Sequence, residues 1–353
     1  EETFIEQCDE ILQNAVEIRL RSDVPVGAFL SGGLDSSLVC AIAKQKLNKS
    51  FNCFSIGFND KRFDESIYFN KVADLFNLNG ISKIVDEKNI NLWQKTTYHN
   101  DQPHGDISFI PTYILSELAS KTHKLVLTGD GGDELFAGYT KYFSLLNNDV
   151  FSAGYFQSIS LFDTNNLKKL YTKSLLNKIN LNQPKSFFQS TINQVSQKDS
   201  INKALYFDTM QLLPGNNLVK PDKMAMAHSL ETRSPFLDFR LFELAFQLPG
   251  NLKLQENETK YIQKKLAKKY LPDDIIYRKK QMFTVPVGEW FKTDLQDYLK
   301  STLLSTKAKN RHLFNNQEVS SMINDHIQDK KNYTRELRAL LNLEIWFEQF
   351  LNE

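Results

Sequence analysis

The sequence predicts an α/β fold: a parallel sheet with helices on both faces, followed by a mostly helical C-terminal half. Four short apolar runs between residues 24 and 130 predict strands, namely VPVGAFL, NCFSIGF, ISKIVD and KLVLTGD. They do not alternate strictly, which is typical of strands buried on both faces. Helical patterns separate them at 36–46, 64–76 and 109–121. This alternation predicts right-handed crossovers and a ligand beyond the carboxyl ends of the strands.

The pattern changes near residue 145, where glycine becomes sparse and apolar residues recur at helical spacing. Four segments predict amphipathic helices, namely INKALYFDTMQLL, DFRLFELAFQL, KYIQKKLAKKYL and TRELRALLNLEIWFEQFL. The polar stretch 184–200 predicts a loop. We therefore divide the chain into 1–145 and 146–353, and we expect the two parts to form one compact domain.

The composition argues against several classes of protein. Hydrophobic residues make up 41% of the 353 residues, and the net charge of +1 creates no field that would attract nucleic acid or an anionic membrane. Cys8, Cys40 and Cys53 show no paired spacing, so we expect no disulfide framework and no zinc site. Few cysteines, no apolar run of membrane-spanning length and no signal-peptide pattern together predict a cytoplasmic protein. Because the chain does not begin with Met, we expect it to be part of a longer protein.

The stretch AFLSGGLDSSLVC, residues 28–40, joins a predicted strand to a predicted helix through a glycine-rich turn. Gly32 and Gly33 allow the backbone to approach an anion closely. The helix N-terminus offers free N–H groups, and three hydroxyls lie beside it, those of Ser31, Ser36 and Ser37. The stretch has neither the lysine of a Walker A loop nor the glycine spacing of a dinucleotide fingerprint. Each feature alone is also compatible with a serine-capped helix after a tight turn.

The segment SGGLDSS resembles the S-G-G-x-D-S signature of the ATP pyrophosphatases, whose phosphate-binding turn is called the PP-loop. The resemblance implies a Rossmann-like fold and cleavage of ATP between its α- and β-phosphates. It also implies that the loop holds the β- and γ-phosphates and that Asp35 binds Mg²⁺. The charge of that ion would replace the charge of a Walker lysine.

Two further segments, LTGDGGDELFAGYTKY at 127–142 and KPDKMAMAHSLETRSPFLD at 220–238, extend the resemblance. With the PP-loop they are similar to the synthetase domain of asparagine synthetases and their amidotransferase relatives. The three motifs occur in the family's order over nearly the whole chain. The resemblance implies an ATP-dependent, AMP-forming amide ligase that activates a carboxylate and transfers ammonia to it. In such a ligase 1–145 would be the nucleotide-binding core and 146–353 would complete the acceptor site.

The resemblance also implies roles for residues around the nucleotide. Leu30 and Ile56 would contact adenine and ribose, although the strand patterns alone favour plain core for both. Thr128 and Gly129 would close the same pocket from the fourth predicted strand. Arg278 would donate hydrogen bonds to phosphate, for which a guanidinium is well suited.

The acidic loop after the fourth predicted strand contains Asp130, Asp133 and Glu134. Like charges this close destabilise the chain unless a cation or hydrogen-bond donors offset them. The resemblance implies that Asp133 shares the Mg²⁺ with Asp35. Asp130 stands where asparagine synthetases usually carry glutamate, and a carboxylate there would orient ammonia and take its proton. β-Lactam synthetase relatives carry tyrosine at this position, so the carboxylate favours amidation between molecules over ring closure.

The segment IIYRKKQMFTVPVG, residues 275–288, resembles the family segment that carries a catalytic lysine. Aligned on its Arg and Phe, that lysine is Lys280, whose ammonium would stabilise charge on the α-phosphate and the departing pyrophosphate. Glu231, in LETRSPFLD, matches the family motif near the route of ammonia and is predicted to be catalytic. A buried structural ion pair of Glu231 and Arg233 is an equal alternative. Three further roles stay open, those of Asp222, Lys223 and Arg233.

The expected substrates are ATP, ammonia and a small carboxylate, with the aspartate side chain as the first candidate. The family draws ammonia from a glutaminase domain with an N-terminal cysteine nucleophile, which we expect in the full-length protein; Cys8 lies inside a helical pattern instead. The resemblance leaves open whether the chain forms a homodimer. The first rival reading is an amidotransferase that acts on a sugar acid or another biosynthetic acceptor.

Two other rivals are weaker. A tRNA-modifying PP-loop enzyme would favour a markedly basic chain, and one that transfers sulfur would need cysteine pairs. A non-catalytic nucleotide-binding protein would not need Asp35, Asp133 and Lys280 together. We therefore expect no nucleic-acid partner, and we expect ATP and Mg²⁺ as the cofactors.

Overall fold

A computed structural model describes residues 1–151, 154–195, 199–279 and 285–351 of the chain. Its main sheet has five parallel strands in the order β3-β2-β1-β4-β5. The strands are β1 Val26–Phe29, β2 Asn52–Phe58, β3 Asn79–Val85, β4 Leu125–Leu127 and β5 Glu231–Arg233. A separate antiparallel hairpin consists of β6 Leu254–Gln255 and β7 Glu258–Thr259. The predicted α/β class with a parallel, Rossmann-like sheet is confirmed.

Helices account for most of the remaining described chain. In chain order they are α1 Glu2–Arg19, α2 Leu34–Leu47, α3 Ser66–Leu75, α4 Trp93–Asn100, α5 Phe109–Ser120, α6 Gly132–Leu135, α7 Tyr155–Ile159, α8 Thr164–Leu170, α9 Lys173–Leu176, α10 Gln183–Asn193, α11 Ser200–Phe207, α12 Val219–Met226, α13 Phe239–Gln247, α14 Tyr261–Ala267, α15 Asp273–Ile276, α16 Val287–Trp290, α17 Gln296–Leu303, α18 Thr306–Asn310, α19 Asn316–Ile327 and α20 Thr334–Phe350. A π-helix, Asp208–Asn217, continues α11, and short 3-10 helices occur at Glu87–Leu92, Thr140–Leu145, Pro235–Leu237 and Gly250–Leu252. No helix of the described residues is long and apolar enough to cross a membrane.

The position of β1 in the sheet decides where a ligand can bind. Its Ala28 lies opposite Cys53 of β2 on one side and Leu127 of β4 on the other. These apolar residues are almost fully buried, as expected for β1, the central strand of the five. The loops that follow β1 and β4 therefore leave the same carboxyl edge side by side, where parallel sheets bind ligands.

Two predictions about the elements are wrong. The third predicted strand is the edge strand β3, and Ile84 is 49% exposed, so this strand is not buried on both faces. The predicted loop at 184–200 contains helix α10, Gln183–Asn193. Its apolar residues Phe188 and Ile192 are spaced four apart and are both buried, which is the signature of one helix face.

The described chain forms two compact units that are not consecutive in sequence. The first comprises Glu1–Val85, Pro111–Tyr155 and Ile192–Phe283, and the second comprises Asp86–Ile110, Phe156–Thr191 and Thr284–Glu353. The boundary that we placed at residue 145 falls inside the first unit. The core of the first unit contains residues of β1, β2 and β4 and of helices α1, α2, α13 and α14. The functional division at 145 stays a prediction.

Candidate active site

The turn after β1 places the first turn of α2 at the carboxyl edge of the sheet. The Leu30 N–H donates to the Phe54 carbonyl at 2.9 Å, which extends the pairing of β1 with β2 to the start of the turn. Gly32 then takes a left-handed φ of +70°, which favours glycine. Gly33 is the N-cap of α2, and no side chain of the described residues caps this helix. The first N–H groups of α2, with the positive end of the helix dipole, thus face the edge where an anion would bind.

The serines of this turn divide into two kinds. Ser31 and Ser36 bond to the loop itself: their hydroxyls lie 3.1 Å apart, and the Ser31 hydroxyl accepts the Gly33 N–H at 3.2 Å. The Ser37 hydroxyl is buried and has no hydrogen-bond partner among the described residues. A buried hydroxyl without a partner costs free energy, so its presence beside a helix N-terminus fits a ligand with oxygen acceptors.

The two side chains predicted to contact adenine and ribose lie at the same edge of the sheet, but both are buried. Leu30 and Ile56 are 1% and 5% exposed. Thr128 directly follows β4, and its N–H donates to the Arg233 carbonyl at 2.9 Å. Gly129 comes so close to the PP-loop that a β-carbon on it would lie 2.8 Å from the Ser36 nitrogen. The two loops are therefore in direct contact, as the predicted pocket requires, while the side chains of Leu30 and Ile56 belong to the core.

Asp35 and Asp133 meet at one buried lysine that the sequence analysis did not single out. The Lys260 ammonium donates to Asp35 Oδ2 at 2.5 Å and lies 2.7 Å from Asp133 Oδ1. Gln263 Nε2 donates to the other Asp35 oxygen at 2.7 Å. Burial disfavours the ammonium, but the charges of Asp133 and Asp35 outweigh it, so the pKa of Lys260 is raised above its usual value. Lys260 therefore stays positively charged at physiological pH, with two carboxylates for one ammonium.

Glycines form the wall of this cluster. A β-carbon on Gly132 would clash with Asp35 Oδ1, and one on Gly138 would clash with Asp133 Oδ1 and with the Lys260 side chain. Side chains at these two positions would displace the carboxylates. The glycines of the GDGGDELFAG segment thus keep the charged groups in contact.

Asp130 and Glu134 lie on either side of Asp133 in the acidic loop. Burial raises the pKa of Asp130; the Thr128 hydrogen bond and the Lys220 charge lower it, and the charges of Asp35 and Asp133 raise it further. Such a carboxylate is a better proton acceptor than an exposed aspartate, because its conjugate acid is weaker.

Glu134 is fully buried and bonded to protein groups. Its Oε1 accepts the Tyr139 hydroxyl at 2.6 Å and the Asn217 amide at 2.5 Å. Burial and the charge of Asp133 raise the pKa of Glu134, and the two hydrogen bonds lower it by less, so the pKa is raised. The donors show that Glu134 ties the acidic loop to the end of the π-helix, so a direct part in the chemistry is not needed to explain it.

Glu231 lies away from this cluster. It is the first residue of β5, opposite Leu125 at the start of β4, and hence at the amino edge of the sheet. Its side chain is 57% exposed and pairs with Arg233 Nε at 2.7 Å. Arg233 in turn donates to the carbonyls of Arg19, the last residue of α1, and Arg21. Glu231 and Arg233 do form an ion pair, but it lies at the surface and is not buried as the alternative required. The register of β5 does not bring Glu231 to the loops that follow β1 and β4.

Arg278 lies beside the PP-loop: its Nη2 is 3.4 Å from the place that a β-carbon on Gly33 would take. The predicted catalytic Lys280 lies outside the described residues. Asp222 and Lys223 lie in α12, and the structure assigns them no role.

Comparison with known proteins identifies the family. Residues 7–348 match the family described as asparagine synthase. The chain belongs to the asparagine synthase family. The glutamine-hydrolysing asparagine synthetase 1 of Bacillus subtilis (strain 168) is 29% identical over 98% of this chain and 59% of its own length. The glutamine-hydrolysing asparagine synthetase 3 of the same strain is 31% identical over 84% of this chain and 52% of its own length.

A more distant relative carries another name. Amidase chyE of Penicillium rubens is 26% identical over 82% of this chain and 53% of its own length. The chain spans a little over half the length of these curated relatives. The match to the asparagine synthase family covers nearly the whole of the given chain.

The residues of the site fit ATP and Mg²⁺. The unpartnered Ser37 hydroxyl and the uncapped start of α2 supply donors that phosphate oxygens can use. Among the described residues no group of three acidic, His or Cys side chains could enclose a metal ion. Mg²⁺ usually takes one or two carboxylates and completes its coordination with water and substrate phosphates. Asp35 and Asp133, which both contact Lys260, are two carboxylates that could hold it.

Proposed function

We propose that this chain is an ATP-dependent, AMP-forming amide ligase that uses the side chain of aspartate as acceptor. A carboxylate oxygen of aspartate attacks the α-phosphorus of ATP, and pyrophosphate leaves. Ammonia then attacks the acyl carbon of the aspartyl adenylate, so that asparagine and AMP are formed. The observation that supports this most is the contact of Asp35 and Asp133 with Lys260, directly beside an uncapped, serine-lined helix start.

The chain's own groups have separable parts in this proposal. The first-turn N–H groups of α2 and the Ser37 hydroxyl bind the β- and γ-phosphates. Asp35 and Asp133 hold Mg²⁺, which supplies positive charge to the leaving pyrophosphate when it is bound. Lys260 keeps the two carboxylates together and adds its own charge to the same region. Arg278 donates to phosphate from the side of Gly33.

The second half-reaction needs a proton acceptor, because the attacking ammonia becomes an ammonium when it bonds to carbon. Asp130 is proposed for this, since its raised pKa makes it a stronger base than an ordinary aspartate. Lys280 is retained as the cation that acts on the α-phosphate during adenylation. Glu231 is left out of the catalytic set, because its position at the amino edge gives it no access to the same chemistry.

ATP–pyrophosphate exchange tests the first half-reaction without requiring the nitrogen donor. The chain, with Mg²⁺, ATP and labelled pyrophosphate, should exchange label into ATP only when aspartate is present. Asp35→Ala should abolish the exchange, and Lys280→Ala should reduce it by a factor on the order of 10²–10³, as for loss of one group that stabilises transition-state charge. Wild-type exchange rates in Asp35→Ala would overturn the metal-binding assignment.

A second acceptor class has one observation in its favour. Two distant relatives, at 26% and 24% identity, are named amidases rather than asparagine synthetases. The PP-loop and the acidic loop act on ATP, so the same machinery can activate another acid, such as a sugar acid. Exchange with a different acid and none with aspartate would move the substrate to this class and leave the chemistry unchanged.

The names of the two Bacillus subtilis relatives state that those enzymes hydrolyse glutamine. We accordingly propose that the full-length protein receives ammonia from a glutaminase domain. The assay that separates the nitrogen source from the ligase is amide formation by this chain with ammonium at several pH values. Turnover should follow the concentration of unprotonated ammonia, because only that form can attack the acyl carbon. A rate of amide formation that does not depend on the concentration of free ammonia would contradict the proposed second half-reaction.

A further inference from the structure

Arg278 is held by two groups from the β2–α3 region of the chain. Its Nη1 lies 2.7 Å from Glu65 Oε1, and the two side chains are only 7% and 12% exposed. Its guanidinium carbon lies 4.5 Å from the centre of the Tyr68 ring. A planar guanidinium that stacks on an aromatic ring and pairs with a carboxylate has few conformations left.

Tyr68 is itself packed against the PP-loop. A β-carbon on Gly32 would lie 2.5 Å from the Tyr68 carbonyl carbon and 2.7 Å from the Phe69 nitrogen. The start of α3 and the turn after β1 are thus in backbone contact. Arg278 therefore rests on a platform whose distance from the phosphate loop is fixed by the backbone.

The position of Glu65 is equally constrained. Its carbonyl accepts the Tyr68 N–H at 2.9 Å and the Phe69 N–H at 3.2 Å, which is the start of α3. The preceding Asp64 accepts the Phe58 N–H at 3.2 Å and the Ser66 hydroxyl at 2.6 Å. These bonds fix the turn between β2 and α3, and with it the carboxylate that faces Arg278.

We propose that Glu65 and Tyr68 are positioning residues that orient Arg278 toward the phosphates of ATP. Glu65 holds Nη1, so that Nη2, on the side of Gly33, is the nitrogen turned toward the phosphate loop. The inference rests on the proposed function in one respect, namely that the bound anion is ATP. It adds residues of the turn that follows the second strand, which none of the three sequence motifs contains.

The charge of Glu65 has two opposing effects, and a comparison of backgrounds separates them. Orienting Arg278 strengthens phosphate binding, whereas a carboxylate beside a phosphate site weakens it by repulsion. With Arg278 present the pair is neutral, so the first effect dominates. Without Arg278 an almost buried carboxylate remains beside the loop with no cation, so only repulsion is left. The effect of removing the Glu65 charge should therefore change sign with the background.

The experiment measures the Kd of Mg-ATP by isothermal titration calorimetry, with no acceptor present. Glu65→Gln should weaken binding roughly tenfold, because the guanidinium is no longer pre-ordered. Arg278→Ala should weaken it roughly 100-fold, through the lost charged hydrogen bond. The double variant Glu65→Gln/Arg278→Ala should bind ATP more tightly than Arg278→Ala alone. A purely structural role of Glu65 would weaken binding in both backgrounds.

Matched variants guard against general damage. Asp74→Asn removes a carboxylate from the exposed face of α3 and should leave the Kd unchanged. Tyr68→Phe keeps the ring and should bind like wild type, whereas Tyr68→Leu removes it and should bind several-fold more weakly. Thermal unfolding of each variant reports whether it is folded at the temperature of the titration.

The results distinguish this inference from the proposed function. If the wild-type chain binds no Mg-ATP, both are overturned. If it binds Mg-ATP and Glu65→Gln binds equally or more tightly, the positioning role is wrong and the ligase proposal stands. If both single variants behave as expected but the double variant is the weakest of all, Glu65 acts on the fold and not through Arg278.

Discussion

Two buried lysines flank the β6–β7 hairpin, and their surroundings have opposite effects on their charge. Lys253, just before β6, is fully buried; its ammonium contacts the Asn202 amide oxygen at 2.7 Å and lies 4.9 Å from the Phe246 ring. Burial lowers its pKa to about 7, although Asp199 and Cys8 oppose this. Lys260, just after β7, contacts two carboxylates, and its pKa is raised.

The difference shows which feature distinguishes the candidate active site from the rest of this unit. Burial is nearly the same at the two lysines, at 0% and 4% exposure. What differs is the number of carboxylates in contact. At Lys260 two carboxylates contact one ammonium, so the cluster carries a net negative charge that a further cation would neutralise. At Lys253 the ammonium contacts an amide and a ring and forms no ion pair with another described residue, which is the arrangement of a structural residue.

Removing the charge at Lys260 is expected to have a large effect on the first half-reaction. Lys260→Met keeps an unbranched apolar side chain but removes the ammonium that both Asp35 and Asp133 contact. Pyrophosphate exchange should fall by a factor on the order of 10²–10³. Lys268→Met is the control, because Lys268 and its partner Asp273 are both exposed and 3.9 Å apart. Equal exchange by Lys260→Met and Lys268→Met would remove Lys260 from the site.

The third carboxylate of the acidic loop should separate the half-reactions. Asp130→Asn should retain exchange and lose amide formation by a factor on the order of 10²–10⁴, because an amide cannot accept the proton. In the wild type, at constant free ammonia, amide formation should rise with pH through a pKa above the usual aspartate value, since only the carboxylate form is a base. If Asp130→Asn stops exchange as well, Asp130 acts in binding ATP or metal.

Lys253 should affect stability and its dependence on pH rather than the chemistry. Between pH 7 and 9 the unfolded chain protonates this lysine and the folded chain does not, so the free energy of unfolding should rise with pH, by up to about 1.4 kcal/mol per pH unit. The range stops at 9 because burial raises the pKa of Cys8 to about 12 in the folded chain. Above pH 9 this thiol ionises in the unfolded chain but not in the folded one, which lowers the free energy of unfolding. Lys253→Met should abolish the rise while exchange per folded molecule is unchanged. Denaturant unfolding at pH 6, 7, 8 and 9 measures the free energy of unfolding as a function of pH. If this free energy rises with pH equally steeply in Lys253→Met and in the wild type, the lowered pKa is contradicted.

The smallest effect concerns the ring beside Lys253. Phe246→Leu removes a cation–π contact and some packing, for a loss of about 1–2 kcal/mol at pH 6. At pH 9 the loss should be smaller, because neutral Lys253 has no cation–π attraction to lose. Chemical unfolding of the variant and the wild type at the two pH values gives the comparison. A loss that does not depend on pH would show that Phe246 contributes packing alone.

The sequence predicted the elements that depend on local patterns. Strands β1 to β4 and helices α2, α3 and α5 were recognised, because buried runs and helical spacing are visible over short windows. Strand β5 was missed, since ETR is three residues long and polar and joins the sheet only by pairing with β4. Helix α10 was missed because its polar residues concealed the buried pair Phe188 and Ile192.

The acidic half of the site was predictable and its cation was not. Asp35 and Asp133 stand in glycine-rich motifs at strand ends, which is a local signal. Lys260 stands in the lysine-rich segment KYIQKKLAKKYL, and nothing in that string distinguishes it from the other lysines. Only the fold buries its side chain. Its left-handed φ of +58°, unusual for a residue with a side chain, cannot be read from that string. Glu65 and Tyr68 were missed for the same reason, because they contact Arg278 across more than 200 positions of sequence.

The strand order also bears on how the protein behaves when it is concentrated or partly unfolded. β3 is the longer of the two edge strands, and beyond it no further strand of the described chain continues the sheet. An open strand edge can pair with another molecule and start aggregation. This strand carries Gly80, which packs poorly in a β-ladder, and Lys83, which pairs with Glu117. A charged residue within an edge strand makes pairing between molecules costly, so we expect Lys83 to protect the chain against aggregation.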